Sequence, residues 1–170
     1  MNSELKADRW LLIAISHMKI RDFALADLPA VLAIQGECPQ AAQWLAADYA
    51  HLADTPGPLL LVAEVEGEAA SKVVGFAAFH QVLDEADLRN LAVAPEYRRH
   101  GVARALIEAA CHRLQQAGTK RLFLEVRVSN EPARSLYSSL GFVLHSRRKN
   151  YYRDPDEDAH VLCLEFSPPA

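Results

Sequence analysis

Two titratable side chains, a glutamate and a tyrosine, lie close together in the C-terminal half of the sequence. Glu125 alternates with Leu124 and Val126 in an apolar run that is typical of a central β-strand. A carboxylate at such a position is costly to bury unless it is paired or functional. Tyr137 follows in a predicted helix that begins just after the strand ends. One group that accepts a proton and one that donates it suit group-transfer chemistry.

Both side chains also have a purely structural interpretation. Glu125 and Arg127 lie on the same side of the strand and can pair on an exposed face. Tyr137 can pack in the core, as aromatic residues on helices usually do. The strand and the helix by themselves leave these alternatives open.

A basic turn precedes a helical pattern in the middle of the chain. Pro95 ends an apolar run, because proline cannot donate a hydrogen bond to a strand ladder. Arg98 and Arg99 then stand just before Gly101, where helical spacing begins. The first N–H groups of a helix have no internal acceptor, and the helix dipole favours an anion there. The turn therefore suits a pyrophosphate, although many solvated basic turns match the same pattern.

Composition narrows the classes of function. A chain of 170 residues is long enough for one domain with a sizeable core. A formal net charge of −4 argues against a general nucleic-acid binder, which needs a positive field. The apolar run 10–15 is too short to span a membrane. We interpret residues 1–17 as an N-terminal extension and residues 18–167 as the domain.

Cysteine and histidine usage predicts neither disulfides nor a metal site. The three cysteines are widely spaced and odd in number, which fits a reducing cytoplasm. The seven histidines form no cluster with the spacing of metal ligands. We therefore expect a cytoplasmic protein without a metal.

The periodicity of the chain predicts alternating strands and helices. The predicted strands are 18–23, 59–65, 73–82, 86–94, 121–128, 142–145 and 159–166, and the predicted helices are 27–35, 41–52, 101–117 and 130–140. Loops are expected at 55–58 and 66–72. This order predicts an α/β fold, in which helices cover a mixed sheet.

Several motifs in a fixed order carry a resemblance. They are Leu91-Ala-Val-Ala-Pro, Arg98-x-x-Gly-x-Ala103, Leu124-Glu-Val-Arg, Ser129-Asn130, Leu136-Tyr137 and Leu140-Gly-Phe142. In order and spacing the sequence resembles the GNAT N-acetyltransferases. The segments Arg148-Lys-Asn-Tyr-Tyr152 and Glu157-Asp-Ala159 resemble, more narrowly, the bacterial ribosomal-protein-alanine N-acetyltransferases.

The resemblance implies a fold and a set of site residues. The fold is a single-domain GNAT (acyl-CoA N-acyltransferase) fold, with a mixed, mostly antiparallel sheet, a V-shaped cleft and flanking helices. Acetyl-CoA would lie between the strands that end near Val93 and Val128. Glu125 matches the general base, and Tyr137 matches the general acid that protonates the departing CoA thiolate. The implied cofactor-binding residues are Leu91, Ala92 and Val93 for the pantetheine arm, Arg98, Arg99, His100, Gly101, Val102, Ala103 and Arg104 for the pyrophosphate, and Asn130.

The acceptor side departs from the family pattern. Close relatives tend to have a His-Pro-Trp-like segment where this chain has Cys38-Pro-Gln-Ala-Ala-Gln-Trp44. We expect this loop and the segment 150–158 to border the acceptor groove, which makes Trp44, Tyr151, Asp156 and Asp158 the candidate acceptor-binding residues. The acidic run 154–158 would attract a basic peptide, or it is simply a solvated turn.

The resemblance implies acetyl transfer from acetyl-CoA to the N-terminal α-amine of a protein, with an alanine-starting ribosomal protein as the family-implied acceptor. An α-amine has a pKa of about 8, so a carboxylate can remove its proton at modest cost, and direct attack in a ternary complex needs no covalent enzyme intermediate. The alternatives are acetylation of a small amine, such as a polyamine or an antibiotic, and a non-catalytic CoA-binding module. Neither nucleic acid nor a membrane is an expected partner.

Overall fold

The computed structural model describes residues 17–54, 58–67 and 70–166. Most of the predicted extension, and parts of the two predicted loops, lie outside these residues. Residues 17–78 and Asn90–Ala110 form one compact unit, and Phe79–Arg89 and residues 111–166 form a second.

Within the described residues the chain forms seven strands and four α-helices. The strands are β1 (Lys19–Asp22), β2 (Pro58–Val65), β3 (Lys72–Val82), β4 (Glu85–Val93), β5 (Arg121–Arg127), β6 (Val143–Tyr152) and β7 (Glu157–Glu165). The helices are α1 (Leu28–Gly36), α2 (Ala46–Asp54), α3 (Val102–Gln116) and α4 (Glu131–Ser139). Every helix in these parts of the chain falls short of the length and apolar character that a membrane span requires.

The strands form one sheet in the order β1-β2-β3-β4-β5-β7-β6. Strand β4 pairs with β5 in parallel, from Glu85 opposite Arg121 to Leu88 opposite Leu124. The pairs β1–β2, β5–β7 and β6–β7 are antiparallel. The predicted α/β class with a mixed, mostly antiparallel sheet is therefore confirmed.

The first unit has a core of aliphatic and aromatic side chains. Tyr49 is fully buried, and its ring lies 5.3 Å from that of Trp44 and 5.8 Å from that of Phe76. Val31 and Val62 belong to the same cluster and are also fully buried. In the second unit, alternate residues of β5 are buried, as the sequence predicted. This alternation places Glu125 on the more exposed face of its strand.

Helix α2 begins at Ala46 rather than at residue 41, and two side-chain amides explain the difference. Asn90 accepts a hydrogen bond from the Ala42 N–H (3.1 Å) and donates one to the Ala42 carbonyl (2.9 Å). Gln35 does the same for Trp44, accepting from its N–H (3.1 Å) and donating to its carbonyl (2.9 Å). Backbone groups that are engaged in this way are not available for helical i to i−4 bonds. The predicted start was wrong because apolar periodicity does not report hydrogen bonds from side chains outside the segment.

Replacing Asn90 by alanine is expected to destabilise the protein by about 2–3 kcal/mol, because its buried partners would lose their hydrogen bonds. Asn90 is 4% exposed and also donates to the Tyr49 hydroxyl at 3.1 Å. Urea unfolding measures the effect. The control is Gln40→Ala, which removes an exposed amide from the same segment. Equal free energies of unfolding for the two variants would contradict the prediction.

Strand β6 runs from Val143 to Tyr152, whereas the prediction ended it at residue 145. It is an edge strand of the sheet, and nearly all its residues are exposed on both faces. A strand of this kind lacks the apolar alternation that reveals half-buried strands. Its partner β7 begins at Glu157, two residues before the predicted start at 159. The part of β6 that follows residue 145 contains Arg148 and Tyr151 and sets their positions.

Candidate functional site

The basic turn of the first unit has an unusual backbone. Arg99 has a φ of 66° and Gly101 a φ of 83°, both in the left-handed region. Helix α3 starts at Val102, and the Ala105 N–H donates to the Gly101 carbonyl at 2.9 Å. The N–H groups that precede this bond have no acceptor inside the helix. Amides in a left-handed turn at a helix start form a concave surface that suits an anion.

Gly75 on β3, which belongs to none of the sequence motifs, allows α3 to approach the sheet closely. A Cβ atom at this position would lie 3.0 Å from Val102 Cγ1 and 3.2 Å from the Ala92 carbonyl oxygen. Val102, the first residue of the helix, is only 1% exposed. The missing side chain at Gly75 thus lets Val102, at the start of the helix, pack against the strand. A glycine in a strand signals such an approach, but only a structure identifies the neighbour.

The Arg98 guanidinium contacts protein groups. Its Nε donates to the Val93 carbonyl at 3.1 Å, and its Nη2 lies 3.0 Å from Cys38 Sγ and 3.4 Å from the Glu37 carbonyl. The Cys38 thiol also contacts the Val93 carbonyl at 3.4 Å. This arginine therefore ties the end of β4 to the end of α1. Its backbone N–H is also engaged, because it donates to the Pro95 carbonyl at 3.2 Å.

Glu125 lies at the centre of a cluster of polar side chains in the second unit. Its Oε1 is 2.9 Å from Arg148 Nη1, and its Oε2 accepts a hydrogen bond from the Tyr151 hydroxyl at 2.8 Å. The Glu125 side chain is 30% exposed. The alternative pairing with Arg127 is wrong, because Arg127 instead pairs with Glu157 at 3.2 Å.

Tyr137 is 7% exposed, and its ring lies 5.7 Å from the ring of Phe142. Burial raises the pKa of its hydroxyl well above the ordinary value, and the nearby Tyr152 phenol raises it further. Burial, and to a smaller extent the charge of Glu125, raises the pKa of Tyr152 to about 12. Tyr152 thus interacts electrostatically with both candidate catalytic residues. The packing interpretation holds for the Tyr137 ring and leaves a role for its hydroxyl.

A second carboxylate near Glu125 was not identified from the sequence. Burial raises the pKa of Asp87 on β4, and the charge of Glu125 raises it further. Arg89 and His80 oppose this shift. Strands β4 and β5 are neighbours in the sheet, which brings Asp87 close to Glu125. This proximity is apparent only once the register of the two strands is known.

Of the candidate acceptor-binding residues, Tyr151 contacts Glu125 through its hydroxyl. Trp44 belongs to the first unit, where it packs on Tyr49. Asp158 accepts hydrogen bonds from the Asn150 N–H (2.8 Å) and from Arg147 (2.6 Å).

The carboxylates of Asp156, Glu157 and Asp158 are engaged in ion pairs and hydrogen bonds. Asp156 pairs with Arg153 at 3.1 Å, and both side chains are exposed. The Glu157 carboxylate accepts from the Ser129 N–H, which, more than any other contact, lowers the pKa of Glu157. Residues 154–156 lie in an exposed turn, which favours the turn interpretation for them, whereas Glu157 and Asp158 belong to β7.

Asn130 is the N-cap of α4, and its side chain accepts a hydrogen bond from the Ala133 N–H at 3.3 Å. The described residues contain no group of three or more His, Cys, Asp or Glu side chains that is arranged to hold a metal ion.

The sequence profile of the Acetyltransferase (GNAT) family matches residues 28–142. The chain is 47% identical over 98 residues to the ribosomal protein bS18-alanine N-acetyltransferase of Escherichia coli (strain K12), a match that covers 56% of this chain and 66% of that protein. It is 34% identical over 148 residues to a Bacillus subtilis (strain 168) protein proposed to have the same activity, covering 87% of this chain and 95% of that one.

Solved structures show the same architecture. The crystal structure of the ribosomal-protein-S18-alanine N-acetyltransferase from Escherichia coli matches with a TM-score of 0.76 at 36% identity, covering 90% of this chain and 96% of that chain. Arabidopsis thaliana NAA60, crystallised with a bisubstrate analogue, has a TM-score of 0.80 at 17% identity, covering 89% of this chain and 99% of its own. The second likeness shows the fold alone.

Proposed function

The chain belongs to the acetyltransferase (GNAT) family, and from this membership we propose that it transfers acetyl from acetyl-CoA to the N-terminal α-amine of a protein. The acceptor named for the Escherichia coli relative, an alanine-starting ribosomal protein bS18, is the proposed acceptor here. The observation that supports this most is the Glu125 carboxylate, which is 30% exposed on a strand whose neighbouring residues are buried. A substrate amine can therefore reach it.

Glu125 is proposed as the general base. A protein α-amine has a pKa of about 8 and arrives mostly as an ammonium group at neutral pH. A carboxylate, acting directly or through a water molecule, removes one proton and leaves the lone pair needed for attack. A lysine side chain, with a pKa of about 10.4, would cost roughly 3 kcal/mol more to deprotonate. This difference favours an α-amine as acceptor.

Tyr137 is proposed as the general acid that protonates the departing sulfur of CoA. Because burial raises the pKa of its hydroxyl, the phenol keeps its proton throughout the pH range in which proteins are assayed. A proton donor in a buried position also avoids competition from water.

The basic turn is the proposed site for the cofactor. Acetyl-CoA supplies the acetyl thioester, and the chain's part is to hold it. The amides from Arg99 to Arg104 would bind the pyrophosphate, because the turn's left-handed residues and the helix start suit an anion. The backbone of Leu91 to Val93 would pair with the pantetheine arm, although the Val93 carbonyl already accepts two donors. Asn130 remains a proposed contact.

Gly101→Ala is expected to weaken acetyl-CoA binding about tenfold, because alanine at a left-handed φ costs about 1–2 kcal/mol. The space around Gly101 is open, so strain in the turn, not a clash, would cause the loss. Isothermal titration calorimetry measures the Kd. The control is Gly36→Ala at the end of α1, where space is also open. A normal Kd for Gly101→Ala would contradict the role of the turn.

The function is tested by mass spectrometry on the acetylation of a peptide that copies an alanine-starting ribosomal N-terminus. The same peptide with a blocked N-terminus, a polyamine and an aminoglycoside antibiotic are the competing acceptors. We expect acetylation of the free peptide and none of the blocked form. Preferential acetylation of the small amines would favour the small-amine alternative. Background CoA release with every acceptor would favour the non-catalytic CoA-binding module. For a ribosomal acceptor the cytoplasm is the proposed location, without nucleic acid or membrane as a partner.

A further inference from the structure

Both oxygens of the proposed base are engaged in the structure. Arg148 holds Oε1 at 2.9 Å, and the Tyr151 hydroxyl holds Oε2 at 2.8 Å. The Arg148 guanidinium also lies over the Tyr151 ring, 5.3 Å from its centroid. An acceptor amine that gives its proton directly to Glu125 therefore competes with these two groups for the carboxylate oxygens.

Arg148 is the more easily displaced of the two by a cation. Its side chain is 55% exposed, and it stands on the edge strand β6, whose pairing with β7 is irregular between Arg148 and Tyr152. An ion pair as exposed as this one contributes little to stability, because water screens the two charges. A substrate ammonium bears the same charge as the guanidinium, so exchange of one for the other leaves the carboxylate paired throughout. A neutral acceptor would leave Glu125 without a cation.

We propose that Arg148 is a counter-ion of Glu125 that the ammonium of the acceptor displaces, so that the site selects acceptors arriving as cations. This inference rests on the proposed function and deepens it, because it adds a positioning residue that competes with the substrate. Arg148 pairs with Glu125 in the free enzyme and moves aside when the amine binds. Its removal therefore strengthens the binding of a cationic acceptor, whereas damage to the fold would weaken it.

The test is binding to the full-length protein in the presence of CoA, which lacks the acetyl group and so allows no turnover. Two probes are used: an alanine-starting peptide with a free amine, and its desamino analogue with a propionyl group in place of alanine. For Arg148→Gln we expect the free-amine peptide to bind three- to fivefold more tightly and the desamino peptide to bind within twofold of wild type. Arg148→Lys retains a competing cation and should bind both probes like wild type.

The matched control is Lys120→Gln, which removes one positive charge from an exposed pair with Asp84 (3.0 Å) in the same unit, outside the segment 150–158. We expect it to change neither affinity. An equal gain in Lys120→Gln would show that only overall charge matters and would overturn the inference. An unchanged ratio of the two affinities in Arg148→Gln, or weaker binding of the free-amine peptide, would also overturn it. A wild-type protein that neither binds nor acetylates the peptide would instead refute the proposed function, and the inference with it.

Discussion

Glu125→Gln is expected to lower kcat for peptide acetylation at least about a hundredfold while leaving the Kd for acetyl-CoA within about twofold of wild type. Glutamine has nearly the same size and can still accept the hydrogen bond that Tyr151 donates at 2.8 Å. It cannot remove a proton, so the acceptor must then arrive already neutral. Stopped assays with saturating acetyl-CoA give kcat, and calorimetry gives the Kd.

The pH dependence sharpens this experiment. An acceptor with a pKa of about 8 becomes neutral as the pH rises, so the residual activity of Glu125→Gln should increase more steeply with pH than that of wild type between about pH 7 and 9. The control is Glu165→Gln, which removes an exposed carboxylate from β7 and should behave as wild type. Wild-type turnover in Glu125→Gln would remove Glu125 from the role of base.

The elements that could be predicted from the sequence are those whose periodicity reports burial. Helix α3 has an apolar stripe, and β5 alternates because one of its faces is buried, so both were located closely. Strand β6 is exposed on both faces and has no such pattern, so most of it was missed. The start of α2 depends on the amide side chains of Gln35 and Asn90, which lie outside the helix and which periodicity does not report.

In the candidate site, too, some residues could be predicted from the sequence and their partners could not. Glu125 and Tyr137 are proposed as catalytic residues from motif order, because a family resemblance preserves spacing along the chain. Their partners did not follow, because Arg148 reaches Glu125 from a strand whose register cannot be read from sequence. The alternative interpretation paired Glu125 with Arg127, two residues away, but in the structure Arg127 pairs with Glu157. Side-chain partners across a sheet require the register of the strands, which depends on the whole fold.

Tyr137→Phe is expected to lower kcat about a hundredfold with little loss of stability. The Tyr137 ring packs 5.7 Å from that of Phe142, and phenylalanine retains that contact, so the free energy of unfolding should change by about 1 kcal/mol or less. The hydroxyl alone is lost. Without a proton donor, the sulfur of CoA must depart as a thiolate, and the step that breaks the thioester slows.

Three measurements on this variant separate an acid from a packing residue. Urea unfolding reports the fold, calorimetry reports acetyl-CoA binding, and single-turnover kinetics report the chemical step. The control is Tyr97→Phe, which removes a hydroxyl from the first unit, where the ring of Tyr97 contacts Lys72. Because burial holds the pKa of Tyr137 well above its ordinary value, loss of its proton should not produce the alkaline limb of the wild-type pH profile. A Tyr137→Phe variant with normal stability and a normal chemical step would leave Tyr137 as a packing residue, and another group would have to protonate the sulfur.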